Sequence, residues 1–282
     1  MPVTLRPLTG ADIPAAMTFV RQVHWNQTPA DWQRFLAATP DGCFAACIGA
    51  DVIGTVATIV YDRHLAWIGM MLVDERHRGR GIGRQLFSRA LEYLDRRGVT
   101  CAKLDATPEG RPMYEHHGFA SEEIIERWAL TRSETSRQVS LPPPATRSLD
   151  AALALDTTIF GADRSGLLRS IADDAPDLVL VESDEASIRG YAFGRRGTRA
   201  DHLGPWMARD EATARKLLTT FLARSERPLV FVDAVCRNRW AARLLEGRGF
   251  TVARALTRMS RGGPVSQDPD GQLGAILGFE FG

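Results

Sequence analysis

Cysteine is scarce in this chain of 282 residues, and what few there are make no pattern. Only Cys43, Cys47, Cys101 and Cys236 occur, and no second pair or adjacent histidine completes a tetrahedral site around the first two. A disulfide framework is excluded, and buried thiols in a reducing compartment are expected. Long apolar runs are missing as well. No stretch approaches the roughly 20 apolar residues of a membrane span. The opening MPVTLRPLTGADIPAAM lacks the basic-then-apolar order of a signal peptide, so the cytoplasm is the expected location. Neither sign of charge dominates: 35 basic residues face 34 acidic ones, a net +1. No global field draws the chain toward nucleic acid or an anionic membrane. The Walker sequence is absent too, because no Gly-Lys-Ser or Gly-Lys-Thr occurs.

What is present is ordinary globular material, 44% apolar and 24% charged, long enough for two domains of about 130 to 140 residues each. The spacing of apolar residues and turn signals predicts an edge strand over 4–7, then a helix over 13–22 capped by Thr9 or Asp12. A second helix is expected over 30–38, with Trp32 in the core. Strands follow over 42–48, 52–60 and 65–73, the first two joined by a turn at Gly49-Ala50-Asp51. A helix over 81–96 stops at Gly98, and a strand over 100–104, a short helix over 111–117 and a strand over 124–130 close the unit. This order describes an α/β lobe with a mixed sheet. Residues 131–145, TRSETSRQVSLPPPA, are polar, lack apolar periodicity and end in three prolines, which reads as a semi-rigid linker.

The second half repeats the first. Gly69-Met-Met-Leu-Val73 corresponds to Gly204-Pro-Trp-Met-Ala208, and Gly118-Phe119 to Gly249-Phe250. A strand over 187–193, a helix over 211–223, a strand over 229–235 and a helix over 239–246 take the corresponding places. The tail LGAILGFEFG reads equally as a last strand or an ordered flap.

The segment VDERHRGRGIGR, Val73 to Arg84, carries the chemistry. Glycines between a buried strand and an amphipathic helix let successive backbone N–H groups converge without Cβ clashes, and the helix N-terminus adds its own orphan donors. The arrangement suits a pyrophosphate. A dinucleotide fingerprint would place its glycines after the first strand of a βαβ unit with a two-residue gap. Here the strand is at least the third, and Gly79, Gly81 and Gly83 read G-x-G-x-G. A purely structural glycine turn is the bland alternative.

Arg78-Gly79-Arg80-Gly81-Ile82-Gly83 resembles the signature of the GNAT superfamily of acyl-CoA N-acyltransferases, and the resemblance spans roughly residues 4 to 130. It implies tandem GNAT-like lobes, each a mixed, mostly antiparallel sheet flanked by helices: a catalytic domain over 1–130, a linker over 131–146 and a degenerate second domain over 147–282. It implies that N–H groups of Arg78, Gly79, Arg80, Gly81, Ile82, Gly83 and Arg84 hold the CoA pyrophosphate. The strand through Met71, Leu72 and Val73 would take the pantetheine arm, beside a splay from the strand over 100–104. Acetyl-CoA is the implied co-substrate, and no metal is expected.

Arg111-Pro-Met-Tyr114-Glu-His-His-Gly118-Phe119 resembles the family's tyrosine helix. Tyr114 would protonate the leaving thiolate or hydrogen-bond to it, the alternative being a core tyrosine. Where the family often has asparagine, seven residues earlier, this chain has Thr107. A backbone N–H of Leu72 or Val73 is the family-like oxyanion donor. His116 and His117 read as helix-surface or capping residues. Trp25, Asn26 and Gln27 lie where such proteins build an acceptor wall and are candidate substrate contacts, as is Asp105; a helix-connecting turn explains the first three equally well. In the second half the cradle position reads Ala208-Arg-Asp-Glu-Ala-Thr-Ala214, without glycine, and Leu245 stands where Tyr114 would. Asp156 and Asp163 would attract an amine and Arg164 and Arg195 a carboxylate, with a surface position or ion pairing between the lobes as the alternative.

The expected function is transfer of an acetyl group from acetyl-CoA to a primary amine of a small metabolite by direct attack. A protein or peptide acceptor and a non-catalytic acyl-CoA sensor are the alternatives. No nucleic-acid or membrane partner is expected, and a homodimer is left open.

Overall fold

The computed structural model describes residues 2–132, 146–185, 187–265, 267, 268 and 270–282; of the expected linker, residues 133–145 lie outside them. The first half runs β1 (Val3–Pro7), α1 (Ile13–Gln22), α2 (Pro29–Ala38), β2 (Phe44–Ile48), β3 (Asp51–Val60), β4 (Ala66–Val73), α3 (Ile82–Arg96), β5 (Cys101–Ala106), α4 (Arg111–His116) and β6 (Ala120–Thr131). Helix starts follow local chemistry. Thr28 and Asp31 cap α2 reciprocally, with Pro29 in the first helical position. Asp12 receives the Thr9 N–H (2.8 Å) and pairs with Arg6 ahead of α1.

The second half runs α5 (Thr146–Phe160), α6 (Ser165–Asp174), β7 (Leu180–Ser183), β8 (Ile188–Arg196), β9 (Asp201–Ala208), α7 (Glu211–Arg224), β10 (Leu229–Val235), α8 (Arg239–Glu246), β11 (Thr251–Gly262) and β12 (Leu273–Ala275). The tail is thus strand and flap at once. Residues 276–282 leave β12 and stay buried.

The strands form one mixed sheet in the order β1-β2-β3-β4-β5-β11-β6-β10-β12-β9-β8-β7. Among the described residues β4–β5 and β9–β10 are its parallel pairs, and every other pairing is antiparallel. The fold class is the expected one: α/β, mostly antiparallel, flanked by helices. Sequence reasoning did not foresee that the halves exchange their last strands. β11 inserts beside β5, and β6 crosses to β10. β6 and β11 have the same residue-by-residue burial pattern, so the exchange is reciprocal.

Buried arginine–aspartate pairs stand at equivalent places in the two exchanged ladders. Arg258 on β11 grips Asp105 on β5 through two hydrogen bonds, 3.0 and 3.1 Å. Arg127 on β6 grips Asp233 on β10 at 2.7 and 2.6 Å. Fork-to-carboxylate geometry is directional, so each pair fixes which residue of the incoming strand meets which partner.

On one face of the sheet, α3 covers the first half (Leu86, Phe87, Ala90, Leu94) and α7 and α8 cover the second (Leu217, Phe221, Leu244, Leu245). On the other, α1, α2, α5 and α6 share a core with the tail: Phe19, Trp32, Phe35, Leu153, Leu168, Phe281. The two lobes are therefore joined through sheet and core alike. No helix among the described residues is long and apolar enough to cross a membrane.

Candidate active site

β4 and β5 pair only at Ala66–Ala102 and Trp67–Lys103. Beyond Trp67 they part, because β5 turns its other edge to β11 over Cys101–Ala106 and β4 carries a bulge. At the bulge Met70 takes a positive φ of 52° and the register against β3 shifts between Leu72 and Gly69. The parted strands open a cavity of about 750 Å³, a size ordinary for small-molecule sites.

One half of the cavity is lined by β4 from Ile68 to Val73 and by the loop residues His77, Arg78, Gly79, Gly81, Ile82 and Gly83. Gly79 and Gly81 hold φ of +73° and +76°, the left-handed region that glycine enters without strain. A Cβ on either would meet nothing within 4 Å. The space before the turn is open, and only the turn's conformation demands glycine. Gly81 is the N-cap of α3 with no side-chain cap, so the first N–H groups of that helix are left for a ligand. Such a concave run of donors fits a pyrophosphate. Arg80 and Arg84 are exposed and absent from the cavity wall. The Arg78 side chain folds back to the Val73 carbonyl (3.1 Å).

Tyr114 on α4 reaches the same cavity, with its hydroxyl 3.9 Å from the Met71 sulfur. Its ring packs on Phe87 (4.8 Å between centroids) and near Phe119 (6.3 Å), which fixes its direction. Burial pushes its phenol well above the usual value, so the group is protonated at neutral pH. Thr107, where an asparagine was the family-like residue, receives the Gly110 N–H (3.2 Å) and shapes the turn into α4. His117 bonds the Met113 carbonyl (2.8 Å) at the end of α4.

The other half of the cavity is walled by Val23, Trp25 and Gln27 from the α1–α2 turn, Arg254 and Leu256 from β11, and Phe279 and Glu280 from the tail. The tail can lie against β4 because position 69 is glycine; a Cβ there would stand 2.8 Å from the Glu280 carbonyl oxygen. Trp67 and Tyr61 bind the tail carbonyls of Phe279 (3.0 Å) and Phe281 (2.6 Å). These wall residues from the second half escaped sequence reasoning, since nothing in the pattern of β11 announces that it crosses to the first lobe. Only the ordered-flap reading of LGAILGFEFG was a signal.

Several expected contacts fall elsewhere. Asn26 does not line the cavity. Its amide holds the β8–β9 turn, donating to the Ala200 carbonyl (3.1 Å) and accepting from the N–H groups of Arg199 (3.0 Å) and Ala200 (2.9 Å). Asp105 borders the cavity, but its carboxylate is fully buried and both oxygens are taken by Arg258; burial lifts it to about 6. Asp156 and Arg164 pair with each other (2.8 Å). Arg195 pairs with Asp31 (2.8 Å) and Glu280. Asp163 receives the Ser165 N–H at the start of α6 (2.8 Å). The inter-lobe ion pair holds for Arg195, which meets Asp31 of the first half, whereas Asp156 and Arg164 pair in the interior of the second half, and none of the four lines the cavity. Trp32 is core, as expected. Gln27 keeps a buried carbonyl oxygen without a hydrogen-bond partner. Among the described residues no group of three or more His, Cys, Asp or Glu is disposed to hold a metal.

The corresponding cleft of the second half is filled. β12 lies between β9 and β10. Asn238, seven residues before Leu245, donates to the carbonyls of Gly271 (3.1 Å) and Leu273 (3.0 Å) and so anchors that strand. The helix start is closed as well: Asp210 caps α7 by accepting the Thr213 N–H (2.8 Å), which sets a negative charge where Gly81 leaves open donors.

A model of the GNAT acetyltransferase family matches residues 13–119, and a model of a GNAT acetyltransferase domain matches residues 152–274. The uncharacterised N-acetyltransferase YitH of Bacillus subtilis (strain 168) is 24% identical over 194 residues, 64% of this chain and 64%, just under two thirds, of its own length. A protein of Pseudoalteromonas sp. (strain SANK 73390) named holothin acyltransferase is 26% identical over 274 residues, 92% of this chain and 87% of that one. The fold matches a crystal structure of an acetyltransferase candidate from Pyrococcus horikoshii with a TM-score of 0.81 at 24% identity, over 99% of this chain and 96% of that one. It also matches a GCN5-related N-acetyltransferase from Sphaerobacter thermophilus, with a TM-score of 0.63 at 17% identity and 98% of each chain covered. The chain is a member of the GNAT superfamily, built from two GNAT-like domains.

Proposed function

We propose that this protein transfers an acetyl group from acetyl-CoA to the primary amine of a small metabolite by direct attack. In this reading residues 1–130 are the catalytic domain, 131–146 the linker and 147–282 a degenerate domain of the tandem bacterial kind, and the protein works in the cytoplasm. The observation that carries it is one cavity in which an open glycine cradle, a parted strand pair and Tyr114 meet.

When bound, the co-substrate supplies an acyl thioester. The loop from Arg78 to Arg84 would hold its pyrophosphate with backbone N–H groups, the exposed arginines adding charge. Met71, Leu72 and Val73 would align its pantetheine arm, and an N–H of Leu72 or Val73 would donate to the acyl oxygen as charge develops there. Tyr114, kept protonated by burial, would give its proton to the departing sulfur. Trp25 and Gln27 would face the acceptor, Gln27 with its unpartnered oxygen toward an amine N–H. A small acceptor is favoured by the bounded cavity, walled by the tail.

The test is release of free thiol from acetyl-CoA over a panel of amino acids, polyamines, aminoglycosides and short peptides. Turnover of a small primary amine supports the proposal. Turnover confined to peptides, or tight CoA binding with no turnover across the whole panel, overturns it.

A further inference from the structure

The acceptor half of the cavity contains a cation with no counter-ion. Arg254, on the exchanged strand β11, lines the wall and makes no hydrogen bond or ion pair with any described residue; its Nε is buried without a partner. Its guanidinium stacks on Phe279, 5.0 Å from the ring centroid. Neighbouring charges do not satisfy it. Asp233 is occupied by Arg127, and Glu280 meets Arg195 through Oε1 while its Oε2 is buried without a hydrogen-bond partner; Arg127 and Arg199 add positive charge nearby, and burial with that repulsion lowers Arg254 to about 10. It remains charged at neutral pH.

Arg254 as a whole is half-buried, but its Nε is a buried donor without an acceptor, which is costly unless a ligand supplies one. The equivalent position on β6 holds the opposite charge, Glu123, which pairs with Arg237. The unpaired cation therefore belongs to the open cavity alone. In the sheet β5 lies between β11, which carries Arg254, and β4, which leads into the glycine cradle. The wall around it carries the apolar Trp25, Leu256 and Phe279 beside the polar Gln27 and Glu280.

We propose that the acceptor is a small amino carboxylate with an apolar or aromatic side chain, its carboxylate held by Arg254 while its amine points toward the thioester. This rests on the acetyltransferase reading of the same cavity and narrows the acceptor within it. Planar fork-to-carboxylate pairing suits arginine better than lysine.

The test compares matched amines with and without the carboxylate: phenylalanine with phenethylamine, tryptophan with tryptamine, leucine with isoamylamine. Thiol release is measured for the wild type, Arg254→Met and Arg254→Lys, with CoA affinity measured on each by calorimetry. A charge-assisted contact predicts a wild-type preference for a carboxylated member of roughly 10- to 150-fold in kcat/KM. That ratio should fall to within about threefold in Arg254→Met and be partly kept in Arg254→Lys. Equal use of both members by the wild type overturns the inference, as does a preference that survives Arg254→Met. If Arg254→Met does not fold, the wild-type ratio and the lysine variant still decide. Intact CoA binding with no carboxylated amine acetylated defeats this inference alone; loss of CoA binding by the wild type defeats the transferase reading with it.

Discussion

Replacing Gly81 by aspartate should separate binding from stability, because the two respond to the new charge with opposite sign. Gly81 sits at φ +76° as the N-cap of α3, and a Cβ there touches nothing within 4 Å. The steric cost is therefore conformational only, at most about 1–2 kcal/mol, and asparagine and aspartate bear it better than other side chains. A carboxylate at a helix N-terminus adds about 0.3–1 kcal/mol of favourable dipole interaction. The same carboxylate would face a pyrophosphate held by the adjoining N–H groups. At an effective dielectric of about 20, unit charges 4 Å apart interact by about 4 kcal/mol. Greater separation and salt reduce this, leaving ~2–4 kcal/mol of repulsion, or roughly 30- to 1000-fold in CoA affinity. Gly81→Asn, of the same shape but uncharged, is the control and should lose no more than about tenfold. Calorimetry with CoA, and with pantetheine as a ligand lacking pyrophosphate, reads the charge effect; thermal unfolding reads the fold. Gly81→Asp should melt at or above Gly81→Asn and bind pantetheine like it, while failing on CoA. Equal CoA affinities for the two variants would refute the pyrophosphate assignment, as would an equal loss for pantetheine.

Two further outcomes follow from single residues. Tyr114→Phe removes a hydroxyl that reaches the Met71 sulfur and keeps the ring packing on Phe87. Steady-state kinetics should show kcat down by roughly 100-fold or more, with little change in acetyl-CoA affinity; unchanged turnover of the true acceptor rejects the acid role. Asp105 has a folded-state value of about 6, above the unfolded carboxyl. Burial and the charges of Asp233 and Glu123 raise it, and Arg258 only partly offsets them. Its contribution to stability is therefore fully present below about pH 4 and is lost as pH rises through 6, a swing of roughly 3 kcal/mol. In urea unfolding from pH 4 to 7, wild type minus Asp105→Asn should fall by about that amount, and a constant difference would refute it.

The legibility of the fold in the sequence follows the range of the interactions concerned. Elements set by local periodicity and capping were readable to within a few residues: α1 matched its expected span, and α4 was expected within a residue of where it ends, while the meaning given to Tyr114 came from the family resemblance. The linear order of elements also carried the duplication. The strand exchange was not readable, because β6 and β11 are interchangeable by pattern and share one burial profile. Whether each pairs within its own half or crosses is settled by long-range contacts such as Arg258–Asp105, between residues 153 positions apart. The acceptor side was misjudged for the same reason. Asn26, polar and beside a tryptophan, looks like a pocket residue until the β8–β9 turn arrives to take both ends of its amide. Arg254 looks like one more strand-surface arginine until the exchange carries it into the other lobe's cavity.

The duplication makes the second half a control for the first. Where the two agree, at the exchanged strands and their arginine–aspartate pairs, the common architecture is being kept. Where they differ, the differences converge on one property, which is whether the cleft is open. In the first lobe the parallel strands part and leave a cavity; in the second, β12 fills that space, held by Asn238. The first helix start is bare glycine, whereas the second is capped by Asp210. Tyr114 faces the cavity, and its counterpart Leu245 is buried in the core. Each change alone would weaken binding of an anionic thioester. This supports one reaction per chain, with the second lobe retained for what it lends the first: β11 with Arg254 and Leu256, and a tail whose Phe279 and Glu280 close the acceptor side. On that reasoning the second lobe's most consequential residues for the proposed reaction lie not in its own filled cleft but on the strand and tail it extends into its neighbour.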